Sequence, residues 1–151
     1  MSEIWRPHVV AAAVVERDGR FLLVEEETDD GVRLNQPAGH WEENETLLQA
    51  VMRETLEETR YHFRPAALLG VYRWAHPRKP ITYLRFAFVG EITGEQADAA
   101  LDKGIIRPLW LSVDEIRASQ ERHRSPLLLR CVEDYLAGQR HSLDLLHYLH
   151  G

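Results

Sequence analysis

The sequence predicts an α/β fold built on a mixed β-sheet with helices on either face. Two β-rich apolar runs open the chain, joined by Asp-Gly turn chemistry. One long segment free of Gly and Pro then begins on a helix cap, and further strand-like runs follow it instead of a regular βαβ alternation. The 151 residues suit a single domain, 1–151, which at this length buries roughly 70% of the surface its unfolded chain exposes.

Residues 8–15 form the first apolar run and residues 20–26 the second. Arg17-Asp18-Gly19 between them predicts a hairpin turn, so the two runs are expected to pair antiparallel. Residues 27–33 hold Asp29, Asp30 and Gly31 and read as a loop ahead of a short extended piece over 34–37. Thr46 with Gln49 three residues later is a capping-box pattern, which predicts a helix over Leu47–Thr59. Residues 68–74 and 83–92 are strand-like, separated by a loop with Pro77, Arg78, Lys79 and Pro80. Residues 93–104 are polar and acidic. A short strand over 107–111 leads into Ser112-Val113-Asp114-Glu115, a second capping box that starts a short helix ending before Arg122. Ser125-Pro126 predicts the start of a third helix and Gly138 its stop, while the tail over 141–151 favours neither helix nor strand.

Hydrophobic residues at 44% and charged residues at 28% exclude a disordered, collagen-like or disulfide-scaffold protein. A net charge of -6 lacks the basic footprint of a polynucleotide binder, so no nucleic-acid polymer is expected as partner. Cys131 is the only cysteine, which rules out an intramolecular disulfide, and its Leu-rich helical setting predicts an inert buried thiol. The longest apolar run, 9–15, is far too short to span a bilayer, and Met1-Ser2-Glu3 carries no basic n-region ahead of it. A cytoplasmic protein with no membrane partner, monomeric or homodimeric, is expected.

The chemistry concentrates on the first helix. Stepping 100° per residue places Glu57 and Glu58 on either flank of Glu54, inside an arc of about 100°. Leu47, Ala50 and Val51 precede them on or beside the same arc, so the acidic patch continues a face turned inward. Carboxylates so close repel one another, and a hard divalent cation requires such an oxygen cluster. Magnesium suits it best, because it keeps several waters and is shared between carboxylates and substrate phosphates; manganese is the alternative. Gly39, six positions before Glu45, permits a backbone approach that a side chain would block.

Gly39, Glu45, Arg53, Glu54, Glu57 and Glu58 stand at six of the seven fixed positions of G-x5-E-x7-R-E-U-x-E-E-x-G-U, and on them the segment resembles the Nudix box. Residues 8–26 resemble that family's opening hairpin, and Trp110-Leu-Ser-Val-Asp-Glu-Ile resembles its closing strand and helix. Asn35-Gln-Pro-Ala-Gly-His40, Arg73-Trp74, Leu84-Arg-Phe86 and Arg124-Ser-Pro126 are similar to a phosphatase branch of the family acting on nucleoside di- and triphosphates and thiamine-type pyrophosphates. The resemblance implies a Nudix-type α/β/α sandwich with a mixed β-sheet and a magnesium-dependent hydrolase of a small phosphorylated metabolite or nucleotide. Two other outcomes stay open: a pyrophosphohydrolase that releases pyrophosphate, and a non-catalytic nucleotide-binding module.

By the same resemblance Glu57 and Glu58 are the main metal ligands, Glu54 is a further ligand or the base, and a backbone carbonyl near Ala38 and Gly39 adds to the set. Arg53 is expected to hold the carboxylates in place, and Glu45 to serve a capping or structural role at the helix start. Asp102 is the candidate late acid, with Glu95 and Asp98 behind it. Asn35, Gln36, Trp74 and Arg85 are the candidate substrate contacts. Trp74 is placed either to stack on a ring or to close the core rim, and Arg85, alternating with Leu84 and Phe86, either reaches a phosphate or remains a surface charge. His40 and His76 do not suit a hard cation. Two positions depart from the box. Thr55 replaces an aliphatic residue and can bond its hydroxyl to an earlier carbonyl. Arg60 replaces glycine where a left-handed residue often ends a helix, a conformation costing roughly 1–2 kcal/mol.

Overall fold

The computed structural model describes residues 3–150. Two sheets share the strands. The first has the order β5 (Ala38–His40), β1 (His8–Val14), β7 (Thr82–Glu95), β6 (Tyr61–Ala75) and the second β2 (Glu16–Arg17), β3 (Arg20–Thr28), β4 (Gly31–Asn35), with β8 (Ile105–Ser112) on the free side of β3. Strand β1 (His8–Val14) runs parallel to β7 (Thr82–Glu95) and antiparallel to β5 (Ala38–His40), so the first sheet is mixed as expected. Its central position explains its composition. With helices over both faces, β1 reads as a continuous apolar run instead of an alternating one, and Ala11–Val15 are at most 2% exposed.

The opening hairpin differs from expectation. The Asp18-Gly19 turn, both residues at positive φ, joins β2 (Glu16–Arg17) to β3 (Arg20–Thr28), while β1 and β3 belong to different sheets. The chain changes sheet after Val14, and a single bond from the Leu22 N–H to the Val15 carbonyl (3.0 Å) marks the crossing. The expected loop over 27–33 is a second hairpin: β3 continues to Thr28 and β4 (Gly31–Asn35) returns after Asp29-Asp30. Gly31, at φ 98°, and the Thr28 hydroxyl, which donates to the Gly31 carbonyl, form this two-residue turn. Strands β6 (Tyr61–Ala75) and β7 are each longer than their apolar runs. Pro65 sits inside β6 because that strand is an edge and its ladder is bulged between Pro65 and Ala67. Residues 93–95 consequently belong to β7 and not to the acidic loop. Strand β8 (Ile105–Ser112) covers the run expected over 107–111.

Helix α1 (Leu47–Thr59) starts where the capping box places it: the Thr46 hydroxyl accepts from the Gln49 N–H, and the Gln49 side chain accepts from Thr46. Helix α2 (Val113–Ala118) has the second box, Ser112 with Glu115. In α3 (Leu127–Leu136), Ser125 Oγ accepts from the Leu127 N–H, and Gly138 at φ 84° closes the other end. There the Gly138 N–H bonds the Tyr135 carbonyl and the Gln139 N–H bonds the Asp134 carbonyl, satisfying two end carbonyls. The undecided tail is anchored by paired bonds between His141 and Leu68 and by a 3-10 turn at Leu143–Leu145.

Two cores flank the first sheet. Ala11, Ala13, Phe63 and Phe88 meet Ala50 and Val51 of α1 on one side, while Val14, Leu69 and Ala87 meet Ile116, Leu128, Cys131 and Val132 on the other. This is an α/β/α sandwich. Among the described residues no helix is long and apolar enough to cross a membrane.

Candidate active site

The inward face of α1 continues from Ala50 and Val51 into Glu54 and Glu58, each only 8% exposed, with Glu57 half-buried beside them. Glu54 packs against the bare backbone of β5: a Cβ on Gly39 would lie 2.0 Å from its carboxyl carbon. Glu58 Oε1 accepts from the Ala38 N–H at 2.9 Å, so both carboxylates lie under one sheet edge.

Arg53 locks the group. Its Nε and Nη2 bind the Glu45 carboxylate at 2.9 and 2.7 Å, and Nη1 reaches Glu54 at 2.7 Å and Glu57 at 3.3 Å. Its Nη2 also donates to the His40 carbonyl at 3.0 Å, so all five guanidinium donors are engaged by protein. Glu45 is therefore not a helix cap: its carboxylate accepts from Arg53 and from the Glu42 N–H, outside the helix.

The acidic loop is tied to the end of α1 by three bonds: Gln96 N–H to the Arg60 carbonyl, Arg60 Nε to the Ala99 carbonyl (2.5 Å), and Asp102 N–H to the Glu57 carbonyl (3.0 Å). They bring Asp102 to the helix, so that Glu54, Glu57 and Asp102 each present a carboxylate oxygen within 4.8 Å of the others. Glu95 and Asp98 are exposed and lie outside this group. Arg60 takes the left-handed conformation at φ 69° and ψ 7°, as the glycine it replaces would. Thr55 bonds the Val51 carbonyl at 2.7 Å.

The carboxylates hold their protons unusually tightly. Burial, with Glu57 and Asp102 close by, raises the Glu54 pKa against the pull of Arg53. Burial and Asp102 raise that of Glu57. Burial, assisted by Glu26, Glu54 and Asp102, pushes Glu58 up to about 9 despite its bond from Ala38. Crowded oxygen donors of this kind fit a hard divalent cation, and neither His nor Cys belongs to the group.

Glu54 and Glu58 line a cavity of about 590 Å³. Its floor is one face of the first sheet, where the rows His40–Val10–Arg85–Tyr72 and His8–Tyr83–Trp74 lie side by side. The turn residues Asp29 and Asp30, together with Arg33 of β4, form one wall, and Arg124 to Leu127 form another. Trp74 lines it and stacks on Tyr83, with ring centroids 5.9 Å apart and planes inclined by 16°. Arg85 is 3% exposed and points to the same cavity, held by Asn35 Oδ1 (3.0 Å) and Gln36 Oε1 (2.7 Å). Asn35 lines the cavity, whereas Gln36, at 1% exposure, is turned into the core and bonds the Leu128 carbonyl. Its place is behind Arg85 and not against a ligand.

The sequence assigned no site role to two residues here. Arg124 lines the cavity through an ion pair to buried Glu26 at 2.6 Å, a partnership across 98 residues that no local pattern signals. Tyr83 could have been found, since it shares the period-two face of Arg85.

Comparison with known proteins supplies the lineage. The NUDIX domain model matches residues 5–131. Phosphatase NudJ of Escherichia coli K12 is 36% identical over 143 residues, covering 95% of this chain and 92% of its own. A NUDIX hydrolase from Nitrosomonas europaea superimposes with a TM-score of 0.93 at 49% identity, covering 95% of this chain and 98% of that one. The NUDIX domain of Shewanella oneidensis NrtR, solved with ADP ribose, shares the fold at a TM-score of 0.72 and 15% identity, over 89% of this chain and 90% of its own. A family match over most of the chain, with a relative more than a third identical along nearly its whole length, makes this protein a member of the Nudix family and a hydrolase of phosphoanhydride bonds.

Proposed function

We propose that the protein is a phosphatase that removes orthophosphate from the end of nucleoside triphosphates, nucleoside diphosphates and thiamine-type pyrophosphates, with magnesium as its ion and manganese able to replace it. The observation that carries this reading is the convergence of Glu54, Glu57 and Asp102 oxygens within 4.8 Å, with Glu54 also lining the cavity. Glu57, Glu58 and the Gly39 backbone would hold the cation, with Asp102 completing the set and Glu54 beside it as the base. A bound cation of this kind polarises phosphoryl oxygens and lowers the pKa of water.

The chain's own groups do the rest. Glu54 takes the proton of the attacking water, since burial raises its proton affinity and Arg53 fixes one of its oxygens. Arg53 acts as a positioning residue because its donors are all engaged by protein groups. Trp74 and Tyr83 offer an aromatic surface to the organic part of the substrate, and Arg85 offers charge between that surface and the carboxylates. Water opens the terminal P–O–P bond, orthophosphate leaves, and the shortened diphosphate is itself a substrate. The similarity to Phosphatase NudJ supports release of orthophosphate over pyrophosphate.

Phosphorus NMR of an early time point with GTP and magnesium tests this reading. GDP and orthophosphate are expected first, and thiamine pyrophosphate is expected to lose one phosphate. Pyrophosphate as the first product would refute the phosphatase reading and leave the hydrolase; no turnover of a mixed phosphoanhydride panel would favour a binding module.

A further inference from the structure

Arg85 is a cation without a counter-anion. It is 3% exposed, and among the described residues no carboxylate lies within ion-pair distance of it. Three of its five donors go to neutral acceptors, Asn35 Oδ1, Gln36 Oε1 and Cys131 Sγ, and the buried Nε has no partner. Of the other cavity cations, Arg124 has Glu26 at 2.6 Å and Lys79 has Asp29 at 3.1 Å, while Arg33 also lacks a carboxylate partner among the described residues but is only half-buried on a wall. Burying a charge without an ion partner is costly, and a site that keeps one facing a cavity is built to take an anion there.

The register says which anion. His40, Val10 and Arg85 form one row, so Arg85 stands two strand spacings, roughly 10 Å, from the β5 edge that covers Glu54 and Glu58. The Arg85 side chain shortens that distance: its guanidinium ends on Asn35 and Gln36, the residues leading through Pro37 into Ala38, whose N–H holds Glu58. Trp74 and Tyr83 lie in the next row, away from the carboxylates. Glu54 and Glu58 lie on the α1 side of β5 and Arg85 with the aromatic pair on the opposite face, so the cavity passes around the β5 edge from the carboxylates to Arg85 and then to the aromatic pair.

Resting on the phosphatase reading of this cavity, we infer that Arg85 is the receptor for the phosphate that is not transferred, the one bonded directly to the organic part of a diphosphate ester. Asn35 and Gln36 are positioning residues that orient the guanidinium by neutral acceptors and leave its charge for the ligand. The monophosphate product keeps this contact after orthophosphate has left. Nucleoside monophosphates therefore bind the protein without any metal and inhibit it competitively.

Calorimetric titration of the full chain with GMP and with guanosine, both in EDTA, tests the inference without turnover, so its outcome is separable from that of the phosphatase reading. GMP is expected to bind at least ten-fold more tightly than guanosine. Arg85→Met should raise the GMP dissociation constant by about ten- to a hundred-fold, the loss expected for a charge-assisted contact, while leaving guanosine unchanged. Arg85→Lys, which keeps the charge but not the fork, should fall between the two and guards against a Met variant that does not fold. Equal affinity of GMP and guanosine for the unmodified protein would overturn the inference. So would a parallel loss of both ligands in folded Arg85 variants, because that marks a purely structural arginine.

Discussion

Replacing Gly39 by alanine separates the fold from the chemistry. The backbone of Gly39 has an ordinary negative φ, so alanine strains nothing locally, and β5 is an edge strand. The new Cβ, however, would stand 2.0 Å from the Glu54 carboxyl carbon, where ordinary contact begins at 3.4 Å. The carboxyl group must retreat by at least 1.0 Å to escape a distance that real Cβ atoms essentially never show, and by 1.4 Å to reach ordinary contact. Because it is the far end of a flexible side chain, the retreat costs the fold about 1 kcal/mol or less. Moving Glu54 also drags on its 2.7 Å bond to Arg53, through which Glu57 and Glu45 are held. A displacement of about 1 Å in a catalytic group costs on the order of a hundred-fold in rate. Gly39→Ala is therefore expected to lower kcat by two orders of magnitude or more with a melting temperature within a few degrees of the parent. The assay pairs initial rates of orthophosphate release at saturating magnesium with thermal unfolding by circular dichroism. Full activity in the alanine variant would refute the packing argument, and equal collapse of rate and stability would show that the glycine serves the fold.

Glu57→Gln and Glu58→Gln should each reduce kcat by orders of magnitude while unfolding transitions persist, because a neutral amide matches the uncharged carboxyl that burial favours at Glu58; full activity in both purified variants would defeat their assignment. Arg60→Gly relieves roughly 1–2 kcal/mol of left-handed strain but forfeits the bond to the Ala99 carbonyl and adds backbone entropy, each about 1 kcal/mol. Its urea midpoint should shift little while activity falls through looser placement of Asp102, and a gain of about 1 kcal/mol or more would mean that the Ala99 bond contributes nothing. Glu25 has its carboxyl held below the usual range by Arg122, with Arg107 assisting. A lowered pKa gives stability that is present above the unfolded value near 4.5 and lost as pH falls through the folded one. Glu25→Gln should thus destabilise at pH 7 and converge with the parent as pH falls through the lowered pKa, as thermal melts from neutral into acid pH would show. Cys131, whose burial raises its thiol pKa, should resist aromatic disulfide reagents until urea unfolds the chain, and rapid labelling of the native protein would contradict that.

Local signals were legible wherever one residue and its near neighbours determine the outcome. Both capping boxes and the Gly138 stop depend on bonds spanning two to five residues, and each element edge falls where those bonds require. Pairing partners were less legible. The Asp18-Gly19 turn does make a hairpin, but the incoming strand is only Glu16–Arg17, because β1 is drawn into the other sheet by β7, some seventy residues on. Asp29-Asp30-Gly31 has the composition of a loop and the geometry of a two-residue turn, since strands lengthen through ladder bonds that hydropathy does not record.

The site divides along the same line. Glu54, Glu57 and Glu58 share an arc because one helix carries them, and Arg53 can bridge them because it lies on that helix too. Asp102 joins them only because the loop is stitched to the end of α1, with Arg60 making two of the bonds. The residue that breaks the box pattern is thus the one that ties down the late acid. A glycine would adopt φ 69° without strain and would keep the carbonyl bond to Gln96, but it has no guanidinium for Ala99. Strain at Arg60 and order at Asp102 are then two sides of one exchange, and the loop's geometry relative to Glu57 should respond to substitution at position 60 before the fold does.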